Sequence, residues 1–178
     1  MNSMVITAHP DLNQSRVNKA LIQKLKNVDI YVRDLYLEYP TWQIDVEKEQ
    51  QTLLQYDRIV FQFPFYWYSC PPLLKKWFDD VLTFGWAYGP GGDNLRDKEF
   101  MIATTTGGSE ASYRSGGDNK YTISELMRPI ERTLTRCKGN FLPVFVGYSV
   151  MQATDAELEH IAESYLEAVK APMEILIH

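Results

Sequence analysis

Cysteine is scarce in this chain: there are two among 178 residues, and Cys70 and Cys137 stand far apart with no CxxC pattern and no histidine cluster beside them. That spacing supports neither a disulfide framework nor a zinc site, so both are expected as reduced thiols and no metal is expected. A surplus of positive charge is also missing. With 18 basic against 23 acidic residues the net charge is -5, which offers no electrostatic footprint for nucleic acid or an anionic lipid surface. No apolar run approaches membrane-spanning length, and the start, MNSMVITAHP, lacks the basic and then apolar stretch of a signal peptide. A cytoplasmic protein is expected. The phosphate-binding patterns GxGxxG and Walker A are absent too, which argues against an adenine dinucleotide or ATP held in the usual way. Linkers and low-complexity segments are missing, and the length suits a single domain over residues 1–178 that buries a core without cross-links.

What is present is an alternation of short β-branched runs with helical periodicity, the pattern of an α/β protein. Strands are expected over Met4 to Ala8, Val28 to Val32, Arg58 to Phe63, Glu99 to Thr104 and Phe141 to Val146. Between them Ser15 to Lys26 carries Val17, Leu21 and Leu25 on one helical stripe, Val46 to Gln55 is a polar helix, and Pro72 to Leu82 turns Leu73, Leu74, Trp77, Phe78, Val81 and Leu82 inward. Ile123 to Cys137 reads as one helix with Lys138-Gly139-Asn140 at its C-cap, and Thr154 to Glu157 forms a capping box before the last helix. Right-handed crossovers make the sheet parallel, with order 2-1-3-4-5 and helices on both faces. In such a sheet ligands bind at the carboxyl ends of the strands.

The loops expected at that edge hold the unusual residues. Thr7 to Ser15 ends at a helix N-terminus, where backbone N–H groups and the helix dipole favour a phosphate, with His9, Ser15 and Asn18 as side-chain donors. Pro64 to Pro72 opens the stretch QFPFYWYSCPPLLKKWFDDVLTFGWAYG, whose density of rings suits a planar ligand better than a core made from Val, Ile and Leu. Thr104 to Asp118 begins TTTGGS, small residues that let backbone N–H groups approach the edge of a flat ring. For each loop the plainer reading is an N-cap, a hydrophobic plug or a turn.

His9-Pro10 followed by Ser15 and Asn18-Lys19, then FPFYWYSCPPLLKKWFDDVLTFGWAYG, then TTTGGS with Tyr113 beyond it, together resemble the flavodoxin-like NAD(P)H:quinone oxidoreductases. The likeness is greatest to their short bacterial branch, which includes modulator-of-drug-activity and general-stress reductases and the ancillary flavoproteins of glutathione-gated potassium efflux. The resemblance implies FMN or FAD as prosthetic group, NAD(P)H as hydride donor and a homodimer with active sites at the subunit interface. It implies that His9, Ser15, Arg16, Val17 and Asn18 hold the flavin phosphate, that Phe65, Tyr66, Trp67 and Tyr68 edge the ring system, and that Thr105, Thr106, Gly107 and Gly108 reach its other side.

From that resemblance follow a ping-pong cycle, in which a quinone or a nitro- or azo-aromatic takes the slot vacated by the nicotinamide, and a role for Tyr113 as donor to the charge that develops. Eukaryotic quinone reductases carry a histidine shortly after the matching tyrosine; here GGDNK occupies the region, with Asn119 at the nearest position. Trp86 and Tyr88 are expected to complete the neighbour's slot, and Trp77, Phe78 and Phe84 to add aromatic surface to the dimer contact. A regulatory flavoprotein bound to a membrane transporter stays open as an alternative.

Overall fold

The computed structural model describes residues 1–28 and 30–173. Asp29, inside the expected second strand, and residues 174–178 lie outside the described residues. Strands β1 (Ser3–Thr7), β2 (Tyr31–Asp34), β3 (Arg58–Pro64) and β4 (Glu99–Thr105) run parallel in the order β2-β1-β3-β4, and two short strands, β5 (Asn140–Phe141) and β6 (Phe145–Gly147), both pair with β4. The expected order 2-1-3-4-5 therefore holds. Along β1, β3 and β4 the strand period of two divides the apolar residues between faces. Met4, Ile6, Phe61, Phe63, Phe100 and Ile102 face one core; Val5, Val60, Met101 and Ala103 face the other. Helix α1 (Arg16–Lys26) covers the second face with the last helix, α7 (Asp155–Lys170). The first face is covered by α2 (Leu35–Glu38), α3 (Val46–Leu54), α4 (Pro72–Val81), α5 (Ile123–Leu126) and α6 (Arg128–Arg136).

Several expected boundaries differ. The second strand begins at Tyr31 rather than Val28, because Val28 belongs to the turn that ends α1, where its N–H donates to Leu25 O. The strand extends to Asp34, which caps the unanticipated α2 by accepting the N–H groups of Tyr36 and Leu37. The helix expected over Ile123 to Cys137 breaks at Met127: Pro129 has no N–H to give the carbonyl of Glu125, and it sits instead in the first turn of α6, where no donor is needed. The expected fifth strand is interrupted as well. Phe141 pairs with Phe100 and Phe145 with Ala103, so the edge chain has one more residue than β4 between these pairs, a bulge that contains the donorless Pro143. At the end of α6 it is Lys138, not Gly139, that takes the left-handed conformation (φ 66). Gly139 is required for space, since a Cβ there would lie 2.2 Å from the Phe100 ring.

The packing beneath β2 rests on a buried ion pair. Glu49 of α3 accepts from Arg33 Nε at 2.8 Å and Nη2 at 2.5 Å, from the Tyr39 hydroxyl at 2.5 Å and from Trp77 Nε1 at 2.9 Å. Each of these four side chains is buried, so these bonds form in low dielectric. Burial and the Glu49 charge push the Tyr39 phenol up to about 12.

Candidate active site at the carboxyl edge of the sheet

Helix α1 starts one residue after Ser15, whose Oγ accepts the Asn18 N–H at 3.2 Å. The N–H groups of Arg16 and Val17 fall in the first turn, where no intrahelical acceptor exists, and that turn carries no acidic residue. Asn18 is buried and donates from Nδ2 to Thr105 Oγ1 at 3.1 Å and Ser15 Oγ at 3.3 Å. Gln62 Nε2 donates at 3.3 Å to both the Asn18 carbonyl and its Oδ1. Two fully buried oxygens at this end of β1 and β3, Thr7 Oγ1 and Gln62 Oε1, have no hydrogen-bond partner among the described residues. A buried polar cluster with acceptors left over is costly unless water or a ligand completes it. His9 is half-buried, and its Nδ1 accepts the Asp11 N–H at 3.1 Å, so the neutral ring carries its proton on Nε2 and can donate there. Burial holds its pKa below the ordinary histidine value, although the charges of Asp11 and Asp34 pull the other way. The Arg16 guanidinium turns away from this turn: it donates to the Ala153 carbonyl at 2.6 Å and to Asp155 at 2.5 Å, tying α1 to the start of α7.

After β3 the chain makes a tight turn. Tyr66 and Ser69 exchange two backbone hydrogen bonds, 3.1 and 2.9 Å, while Trp67 and Tyr68 between them both have positive φ, 46° and 61°. Positive φ at both central positions is the geometry that Asn-Gly normally occupies. Here two bulky aromatics take it, a conformation that costs free energy and that clusters at functional sites. One consequence is exposure: Trp67 is 91% exposed. Phe65, by contrast, is fixed. Its N–H donates to Thr105 O at 2.9 Å, and its ring packs edge-on with Tyr68 at 5.9 Å and Tyr113 at 5.6 Å.

The third wall follows β4. Thr106 N–H donates to Gly147 O at 2.8 Å, Gly108 N–H donates to Thr106 Oγ1 at 3.2 Å, and the Thr106 and Tyr113 hydroxyls lie 2.8 Å apart. Thr106 Oγ1 accepts from Gly108 and shares one further hydrogen bond with the Tyr113 hydroxyl, in which either oxygen can be the donor. Gly108 makes this possible, since a Cβ would stand 2.8 Å from the Tyr113 ring. Tyr148 lies 6.1 Å from Tyr113, its phenol pushed up by burial and by the neighbouring Glu110 and Tyr113.

The structure thus brings Ser15, Asn18, Phe65, Thr105, Thr106, Gly108 and Tyr113 together through direct contacts, with Tyr66 and Tyr68 on the same turn and Gly107 on the same loop. Val17 is buried and offers only its backbone. Trp86 and Tyr88 stand apart, half-buried, in the loop after α4, where Tyr88 packs edge-on against Phe84. The expectation that Trp77 and Phe78 feed a subunit contact fails: Trp77 is 0% and Phe78 5% exposed, both packed on Phe61 in the chain's own core. Of that group Phe84, 68% exposed, remains a surface ring. The sequence reading missed a fourth rim segment, Tyr148 to Ala153 after β6, joined to the site by the Ser149 N–H to Gly108 O bond of 3.0 Å. Its signal was available, since every parallel strand delivers its following loop to the same edge.

The family described as having a flavodoxin-like fold matches this chain over residues 1–169. A Bacillus subtilis protein named an NAD(P)H oxidoreductase, YrkL, is 49% identical over 172 residues, 96% of this chain and 99% of that one. The potassium-efflux ancillary protein KefG of Erwinia tasmaniensis is 38% identical over 96% of this chain and 93% of its own. General stress protein 14 of Treponema denticola, solved in complex with FMN, superposes with a TM-score of 0.92 at 38% identity, covering 96% of this chain and 99% of that one. An NADPH-quinone reductase of P. pentosaceus gives 0.89 at 32% identity, covering 97% and 100%. With this match spanning nearly the whole sequence, and with the strand order and rim described above, the chain belongs to the flavodoxin-like fold family.

Proposed function

We propose that the protein is an FMN-dependent NAD(P)H:quinone oxidoreductase. The observation that carries this reading is the meeting at one rim of an acid-free helix N-terminus, a strained aromatic turn and a Thr-Gly edge joined to Tyr113. These residues suit a flavin mononucleotide. The first-turn N–H groups of Arg16 and Val17, the Ser15 hydroxyl, Asn18 and the His9 Nε2–H are donors suited to a phosphate dianion, and the unpaired Thr7 and Gln62 oxygens beneath them can accept from a ribityl hydroxyl or a water. Phe65 to Tyr68 supply ring edges, and Thr105 to Gly108 supply backbone N–H groups that approach closely because Gly107 and Gly108 lack side chains. FMN is favoured over FAD by the FMN held in the structure of general stress protein 14.

The flavin, when bound, supplies the chemistry: it takes hydride from a nicotinamide and gives two electrons to an acceptor. The chain's own part is to hold stacked rings in register, to exclude water with its aromatic wall, and to hold the Tyr113 hydroxyl in place through its hydrogen bond with Thr106. Quinones are favoured as acceptors by the related quinone reductase; nitro- and azo-aromatics share their planarity. A homodimer would place Phe84, Trp86 and Tyr88 against a second copy and cover the exposed ring of Phe84. Initial-rate assays with NADH or NADPH and a benzoquinone test the reading. Parallel double-reciprocal lines are expected from one donor and one acceptor using the same slot in turn; no oxidation of either nucleotide with FMN added would refute it. A second reading, an ancillary subunit of a potassium efflux transporter, is favoured by the likeness to KefG, and co-purification with that transporter's cytosolic domain is its test.

A further inference from the structure

One side chain joins two walls of the rim and has no role in the reading above. Asn119 Oδ1 accepts the Tyr68 hydroxyl at 3.2 Å, across 51 positions of sequence. Its Nδ2 donates to Ser112 Oγ at 3.2 Å, and its backbone N–H donates to Ser112 O at 3.0 Å. Ser112 Oγ donates in turn to Ser109 O at 2.7 Å. The loop can fold back on Ser112 in this way only because position 117 is glycine, where a Cβ would meet the Ser112 carbonyl oxygen at 2.5 Å.

Next to Ser112 is Tyr113, edge-on to Phe65, and Phe65 is edge-on to Tyr68. A closed circuit results: Tyr68 to Asn119 to Ser112 through hydrogen bonds, then Tyr113 to Phe65 and back to Tyr68 through rings. Tyr68 is also one of the two residues held at positive φ, a conformation that persists only where surrounding contacts over-determine it. The Asn119 bond is the polar contact that Tyr68 makes across the rim.

We propose that Asn119 is a positioning residue, a latch that holds the Tyr113 loop against the strained aromatic turn and so sets the width of the slot for the planar nicotinamide and quinone rings. The choice of substrate rests on the redox reading above; the latch itself rests on geometry alone. Asn119 touches neither substrate nor the reacting atoms in this account. It acts by holding Tyr68 and Tyr113 at a fixed separation, which spares an incoming ring the cost of ordering them.

The test uses Tyr68→Phe, which removes one hydroxyl, Asn119→Leu, and the double variant. The first readout needs no flavin. Arg114 and Lys120 lie exposed in the latched loop, so limited trypsin digestion of the flavin-free protein reports how often the loop opens. Each single variant is expected to speed loop cleavage about threefold or more, the worth of one neutral hydrogen bond, and the double variant to cleave no faster than Asn119→Leu. The second readout is kinetic and uses Asn119→Leu alone: KM for the nucleotide rises by a similar factor while kcat stays within about twofold. An unchanged cleavage rate in Tyr68→Phe, or effects that multiply in the double variant, overturns the latch and leaves Asn119 a strut within its own loop. If cleavage behaves as expected but no variant or parent oxidises NAD(P)H, the redox reading has failed and the latch stands.

Discussion

Trp67→Asn separates the cost of the rim from its use. In the turn Tyr66 to Ser69, Trp67 holds φ 46 with 91% of its surface exposed. A bulky L-residue in the left-handed region costs about 1–2 kcal/mol, whereas Asn enters it readily. Against this relief stands the burial that Trp67 provides. At 9% of a ring-bearing side chain of about 250 Å², that is about 20 Å², or about 0.5 kcal/mol at 25 cal/mol per Å². The flavin-free variant is therefore expected to be more stable by about 0.5–1.5 kcal/mol, a rise in Tm of about 1–6 °C for a chain of this length. Flavin or nucleotide binding should move the opposite way. Loss of one aromatic contact worth about 0.5–1.5 kcal/mol weakens affinity by about two- to tenfold. Urea unfolding of the flavin-free protein and stopped-flow measurement of the flavin off-rate give the two numbers. A destabilised variant would refute the strain argument, and an unchanged off-rate would show that Trp67 does not touch the ligand.

Glu49→Ala should cost about 3 kcal/mol, because it leaves two buried donors without their acceptor and leaves the buried Arg33 charge only the longer contact to Glu38 at 3.3 Å; a loss under about 1 kcal/mol in urea unfolding would contradict the pairing. Because the Tyr39 phenol is raised to about 12, the stability it contributes is complete below the unfolded value of about 10 and is lost as pH climbs towards 12. Tyr113→Phe should slow flavin reduction by about five- to thirtyfold, the equivalent of about 1–2 kcal/mol, with little change in flavin binding; an unaltered stopped-flow rate removes this hydroxyl from the mechanism. His9, its pKa lowered chiefly by burial, contributes stability that is complete above about 6.5 and lost as pH falls through the folded value. An NMR titration should find its midpoint below the free-histidine value without ligand and higher once FMN or inorganic phosphate is added, and a midpoint above that value in the free protein would refute the burial argument.

The parallel sheet was legible in the sequence because the apolar runs IVF within RIVFQF and FMIA within EFMIAT suit strands covered on both faces. The rim was legible for the complementary reason: at the carboxyl ends of these runs Thr, Asn, Gly and aromatic residues replace Val and Ile. Breaks set by missing donors were less so. Pro129 splits a helix and Pro143 marks a bulge, yet each sits in a pattern whose periodicity continues on both sides. The inward face of Pro72 to Leu82 already placed Trp77 and Phe78 in the core, and it was the ring count alone that suggested a surface role for them. Positive φ at Trp67 and Tyr68 leaves no trace in composition, since neither residue is a turn former. The bond between Tyr68 and Asn119 joins positions 51 apart, and only the folded rim brings them within reach.

The central claim is that this rim is a flavin site, and flavin binding measures it most directly. The purified protein should carry yellow flavin absorbance, identified by mass as FMN after heat release, or should quench the fluorescence of added FMN at one flavin per chain in the micromolar range or below. A colourless protein that leaves FMN and FAD fluorescence unchanged at those concentrations would contradict the account.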